Sequence, residues 1–180
     1  AKGFDAARLR RQIEQIDRLN KSFDGFRLLK GIEVDIREDG TLDLPDDVLD
    51  ELDLTVCSVH AKFNLGRKEQ TRRIVRAMDN PRFSVLGHPT GRLIGEREAY
   101  DVEMETLIAA AAERGCFLEV NCHPERLDLN EYHCKAAREA GVLLAVSTDA
   151  HSTADLDNMR RGVDQARRGW LEAENILNTR

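Results

Sequence analysis

The sequence predicts an α/β fold, with parallel strands covered by outer helices, on two observations. Five short apolar runs alternate along the chain with amphipathic helical patterns, and each run leads into a residue able to ligate a metal or move a proton. Residues 28–32 lead into Glu33, residues 54–59 into His60, residues 83–87 into His88, residues 116–120 into Asn121-Cys122-His123, and residues 142–146 into Asp149 and His151. Open parallel sheets and (β/α) barrels both gather their chemistry at the carboxyl ends of strands. A lone His beside an apolar run is usually a satisfied core residue. Four of the five His stand at these ends, however, and that repetition favours a metal or acid–base site. His133 falls in a helical pattern and is expected to be structural.

Asp5 caps a helix in which Leu9, Ile13, Ile16 and Leu19 share a face. The first strand follows Phe23-Asp24-Gly25 and ends at Glu33, where a carboxylate flanked by Ile32 and Val34 needs a cation or several hydrogen bonds. Asp39-Gly40 makes a turn, and Pro45 opens a short helix with Val48, Leu49 and Leu52 inward. After His60, a polar loop leads into a helix through Ile74, Val75 and Met78 that stops at Asn80-Pro81. Two Gly and a Pro bracket His88 in Gly87-His88-Pro89-Thr90-Gly91-Arg92, which predicts a tightly turned backbone. A helix is expected over residues 98–114, with Val102, Leu107, Ile108 and Ala111 inward. Another carries Cys134 and Ala137 and stops at Gly141. A last helix, capped by Ser152, is expected to bury Leu156, Met159, Val163 and Ala166. Asp149 and His151, two residues apart, are expected on one side of a continuing strand.

Composition sets outer bounds. The 180 residues are 41% hydrophobic and 33% charged, which is enough to bury one core and predicts a single domain over 1–180. No apolar run approaches the roughly 20 residues of a membrane span, and a cytoplasmic protein is expected. The four Cys show no CxxC spacing and read as reduced core thiols. A net charge of −6, with acidic residues concentrated between Glu38 and Asp53, argues against strong DNA binding by the chain alone. The acidic stretch reads as the solvated face of a short helix.

The motifs Gly31-Ile32-Glu33, Ser58-Val59-His60, Gly87-His88-Pro89-Thr90-Gly91-Arg92, Arg126-Leu127-Asp128-Leu129, Thr148-Asp149-Ala150-His151-Ser152 and Ala166-Arg167-Arg168-Gly169-Trp170-Leu171 span nearly the whole chain. Together they resemble the PHP (polymerase and histidinol phosphatase) domain, and most closely the form at the C-terminal end of bacterial family X DNA polymerases. The resemblance implies a partial, distorted (β/α)7 barrel of TIM-like type. It implies up to three divalent ions (Zn, Mn or Fe) at the strand ends, and phosphoester hydrolysis in the form of 3′-end processing and 3′–5′ exonuclease action on DNA. Carried over by position, Glu33 resembles the carboxylate bridging two metals, with His60 and His88 completing one site. Asp149 is similar to a ligand of the second ion and His151 to a ligand of the third. These residue types suit such metals, which activate a water and steady the leaving oxygen. Arg92 and Arg126 are candidates to contact phosphate.

The family's opening strands carry a His-x-His pair and a later Asp-His, and this sequence contains neither. A domain shortened at its N-terminus is therefore expected, with a sheet edge open to self-association. His123 departs from the family pattern; a rim position facing substrate or solvent is favoured over a metal contact. Three functions compete: a phosphoesterase domain reaching DNA 3′ ends through a full-length polymerase, a stand-alone small-molecule phosphatase of the same superfamily, and a metal-poor structural domain. Metal content and a phosphatase assay separate the third from the others.

Overall fold

The computed structural model describes residues 5–180. Five parallel strands, β1 (Gly31–Asp35), β2 (Leu54–Ser58), β3 (Val85–Leu86), β4 (Phe117–Asn121) and β5 (Leu144–Ser147), form one sheet in the order β1-β2-β3-β4-β5. Each strand pairs with its sequence neighbour, with Glu33 opposite Val56 and Asn121 opposite Ser147 in the registers at the two ends. An unreversed order winds the chain in one direction, as in a segment of a TIM-like (β/α) barrel. Helices α3 (Arg67–Met78), α4 (Met104–Arg114), α5 (Glu131–Glu139) and α6 (Met159–Arg168) follow β2 to β5 and pack in a row, each beside the next. Two helices precede them, α1 (Ala6–Asn20) and the one-turn α2 (Asp46–Leu49).

Strand alternation divides the sheet into two faces. Val34, Ile36, Cys57, Val59, Leu118, Val120, Leu144 and Val146 point toward the helices and share one core with Ile74, Leu107, Ala111, Cys134 and Ala166. Their neighbours on the other face are Glu33, Asp35, Ser58, Glu119, Asn121 and Ser147. The core face is apolar, and the other face holds the polar groups. All four Cys are free and buried, as expected of core thiols. No helix among the described residues is long and apolar enough to cross a membrane.

Several expectations shift on contact with the fold. Asp5 does cap α1, accepting from the Arg8 amide at 2.8 Å. Only Leu9 and Ile13 of its stripe are fully buried, in a small cluster with Val48, while Leu19 is exposed. The first strand begins at Gly31 rather than Leu28, which places Glu33 in mid-strand. The Asn20 amide takes both backbone groups of Leu28, and Asp53 takes the Lys30 amide, so this stretch is lost to the ladder.

The helix expected from residue 98 starts at Met104. The preceding stretch is irregular and lays buried Tyr100 against Gly91 and stacks it on Phe63. Between Ser152 and α6 the chain forms a 3₁₀ turn, Thr153–Asn158, and of Leu156, Met159, Val163 and Ala166 only Ala166 is buried. The helix turns Gly162, Gln165 and Ala166 inward instead. Met159 and Val163 line a shallow apolar groove with Leu171 and Ile176.

The acidic stretch is solvated but paired: Asp47 and Glu51 hold Arg10, and Asp46 and Asp50 hold Arg82. Of the two outer strands, β5 is covered by the chain's own C-terminal segment. Ile176 bridges Leu144, and the Asn178 amide brackets both backbone groups of Val146 at 2.9 and 3.0 Å. β1 forms the other edge of the sheet.

Gly162 sets the distance of α6 from the sheet. A Cβ there would lie 2.0 Å from Cys122 Sγ and 2.8 Å from Val146 Cγ1. Alanine is favoured over glycine in a helix by about 1 kcal/mol, but forcing a methyl into a filled core costs about 1–3 kcal/mol, so the clash wins. We expect Gly162→Ala to lower the urea midpoint with an unchanged slope; an unchanged or raised midpoint would show that the helix moves away freely.

Candidate metal centre

Glu33 stands on the polar face of β1, and His60 and His88 each lie two residues past their strands, β2 and β3. The fold brings these three together. His88 Nε2 is 2.9 Å from Glu33 Oε1, and His60 Nε2 is 3.3 Å from the same oxygen. One ligand atom from each lies within 4.8 Å of the others, the only such group of three among the described residues. The rings meet edge to face with centroids 5.1 Å apart. His88 is sealed at 3% side-chain exposure, whereas His60 and Glu33 are open at 39% and 40%. The cluster therefore has one closed and one solvent-facing side.

Burial alone would raise the Glu33 carboxyl, but hydrogen bonds from His60 and then His88 outweigh it and hold the group well below the usual carboxylate range. The Glu33 hydrogen bond raises His60 in turn, against burial and with help from Asp35. Asp35 Oδ1 holds His60 Nδ1 at 2.5 Å, leaving Nε2 to face Glu33. A carboxylate on the far nitrogen of an imidazole is the usual support of a ligating His, since it fixes the ring and its tautomer. Hydrogen bonds from the two imidazoles satisfy the Glu33 carboxylate. One carboxylate and two imidazoles also suit Zn, Mn or Fe, so the donor set fits the divalent ion expected from the sequence.

Backbone geometry at the rim is tightly specified. His88 adopts φ +26° and Asp149 φ +52°, values uncommon for residues with a side chain. Gly87 is required by the close approach of β2, because a Cβ would sit 2.3 Å from Ser58 Oγ. Two buried or half-buried arginines clamp loop carbonyls. Arg73 holds those of Ile36, Arg37 and Ala61 beside Asp35 and His60, and Arg92 holds those of Arg126 and Leu127. Arg92, read from the sequence as a phosphate contact, has its guanidinium engaged in this clamp.

Asp149, His151 and Arg126 line a cleft of about 490 Å³ together with Glu33 and His60. Asp149 and His151 do not continue the strand, which ends at Ser147, so strand alternation does not relate them. Asp149 Oδ2 instead accepts from Asn121 Nδ2 at 3.1 Å and lies 3.5 Å from Arg126 Nε. His151 projects into solvent at 83% exposure, with Nδ1 2.8 Å from the Asp149 carbonyl. Arg126 is largely buried, and its Nη1 has no partner. His123 turns to its own loop: its amide donates to Asn121 Oδ1 at 2.9 Å and its Nδ1 accepts from the Glu125 amide at 3.4 Å. It takes no part in the three-residue cluster.

Four acids or amides of this region received no role from the sequence: Asp35, Glu119, Asn121 and Asp128. Asp35 was signalled by its spacing of two from Glu33, and Glu119 and Asn121 by polar side chains alternating within a buried run. Glu119, 5% exposed, accepts from the His88 amide at 2.5 Å, from Asn121 Nδ2 at 3.3 Å and from the Ser147 hydroxyl. Burial raises its carboxyl, opposed by these bonds. Asp128, fully buried and likewise raised by burial, receives the Thr90 amide at 2.9 Å, the Thr90 hydroxyl at 2.8 Å and the Gly91 amide at 3.1 Å.

No family model matches the chain. Individual proteins do. The whole chain aligns at 46% identity over 180 residues with "DNA polymerase/3'-5' exonuclease PolX" of Bacillus subtilis (strain 168), covering 32% of that protein. A protein described as "Probable phosphatase" from Thermoanaerobacter sp. (strain X514) is 30% identical over 171 residues, covering 89% of this chain and 67% of its own length. Another so described, from Caldanaerobacter subterraneus subsp. tengcongensis, is 29% identical over 169 residues, covering 88% of this chain and 64% of its own. The chain thus spans about a third of the length of PolX and roughly two thirds of the phosphatase-like proteins. The chain is similar to one segment of PolX, and it belongs to the family of the Thermoanaerobacter protein described as a probable phosphatase.

Proposed function

We propose that the chain is a PHP-type phosphoesterase domain that depends on divalent metal and acts on phosphoesters at DNA 3′ ends within a family X polymerase. The observation that supports this most is the convergence of Glu33, His60 and buried His88, the first two of which line a cleft together with Arg126. A divalent ion held by those three residues supplies Lewis acidity toward a phosphoryl oxygen and makes water a stronger acid. Asp35 keeps the His60 ring turned toward the site. Arg126, with an unpaired Nη1, binds a phosphate oxygen and balances the carboxylates around it. Asp149 and His151 serve as ligands for further ions, up to three in all, and His123 stays at the rim. The polymerase and exonuclease activities named for the PolX relative support a DNA end as substrate. At a net charge of −6 the chain itself binds DNA weakly, and steering onto DNA comes from the polymerase.

The phosphatase-like relatives favour a second reading, a small-molecule phosphatase. Turnover of a 3′-recessed oligonucleotide duplex, set against histidinol phosphate and sugar phosphates with added Mn²⁺ or Zn²⁺, separates the two. Hydrolysis of only the small phosphates would overturn the DNA reading.

Two substitutions test the site. We expect Glu33→Ala to reduce bound divalent metal by elemental analysis after dialysis, while Glu125→Ala, an exposed loop carboxylate, leaves it unchanged; equal loss in both would overturn the assignment of Glu33. We expect Arg126→Ala to lower kcat/KM for phosphoester hydrolysis by roughly 10- to 150-fold, as charged hydrogen bonds of about 1.5–3 kcal/mol imply, without changing metal content. An unaltered kcat/KM would remove Arg126 from phosphate binding.

A further inference from the structure

Glu119 is a buried acid that neither the ligand set nor phosphate binding uses, yet its bonds reach both sides of the site. One oxygen, Oε2, receives the His88 amide at 2.5 Å and Asn121 Nδ2 at 3.3 Å. The other, Oε1, receives the Ser147 hydroxyl. The same Asn121 amide donates to Asp149 Oδ2 at 3.1 Å. A chain of contacts thus runs from the backbone of His88 through Glu119 and Asn121 to the side chain of Asp149, joining the ends of β3, β4 and β5. Register aligns it, since Asn121 stands opposite Ser147 and Glu119 opposite Ala145. Asn121 fixes the neighbouring loop as well, through its Oδ1 and the His123 amide.

His88 and Asp149 both hold left-handed backbone conformations. Such conformations persist when surrounding bonds over-determine them, and Glu119 and Asn121 supply bonds at both places. We propose that Glu119 is a positioning residue that sets the placement of His88 relative to Asp149, and so the geometry of the metal cluster. The proposal rests on the metal-dependent reading given above. Shape, more than charge, carries the role. A glutamine can keep its oxygen on the His88 and Asn121 donors and turn its amide toward Ser147, whose hydroxyl then accepts.

The test compares Glu119→Ala, Glu119→Gln and Leu107→Ala, the last a core truncation in α4 that serves as a stability control. Mn²⁺ affinity is read by calorimetry, and metal-free crystal structures report the positions of His88 and Asp149. We expect Glu119→Ala to weaken Mn²⁺ binding about 10- to 100-fold, the usual cost of losing support behind a ligand, and to displace His88 or Asp149. Glu119→Gln should restore both affinity and placement, and Leu107→Ala should leave the affinity unchanged. Equal Mn²⁺ affinity in wild type and Glu119→Ala would overturn the proposal while leaving the metal reading intact, as would unmoved His88 and Asp149. A wild-type chain with no Mn²⁺ affinity would overturn the metal reading alone, because the metal-free structures still decide whether Glu119 places these residues.

Discussion

Everything in this protein depends on the parallel pairing of five strands in unreversed order. Parallel, in-order pairing brings all five carboxyl ends to one side of the sheet, and strand alternation then decides what each end presents. The apolar residues must face the helices, because that is where the burial is available. Residues one position away are left on the opposite face, and there the chain places Glu33, Asp35, Glu119, Asn121 and Ser147. A parallel sheet with a polar second face is unusual, since both faces are normally covered by apolar packing. The exception is where the site lies.

Electrostatics explains why that face tolerates so many acids. Glu33 sits between two imidazoles, and Asp35 shares one of them. Asp149 has Arg126, while Glu119 and the Oδ2 atom of Asp128 are held by amides and hydroxyls rather than by counter-ions. Acids held by neutral donors shape the loops. Those facing imidazole or guanidinium surround the cleft, where a cation adds most. Ion pairs on the outer surface, such as Arg10 with Asp47 and Glu51, are exposed and screened by solvent, and add little.

Loop rigidity at the rim has an equally local origin. Arg73 and Arg92 each gather backbone carbonyls that no strand or helix satisfies, and Asp128 gathers the amides of Thr90 and Gly91. Irregular backbone that passes under a site leaves polar groups unmatched, and leaving them so is costly. Charged side chains used for this purpose resemble functional residues in a sequence. Arg92 beside His88, expected from the sequence to contact phosphate, is one such side chain.

Legible from residues alone were the strand and helix alternation, the helix-facing core, and the arrival of Glu33, His60 and His88 on neighbouring strands or just past their ends. Those features follow from period and order, which are local. Tertiary structure decided the rest. Asn20 and Asp53 capture the backbone of residues 28–30 and move the first strand, and Tyr100 packed under Gly91 delays α4. Gly162 turns α6 so that Met159 and Val163 stay outside. Each is a contact between residues distant in the chain, invisible to any periodicity. The same holds for Glu119: only the approach of β3 and β5 to β4 supplies the donors that make a buried acid a link between His88 and Asp149.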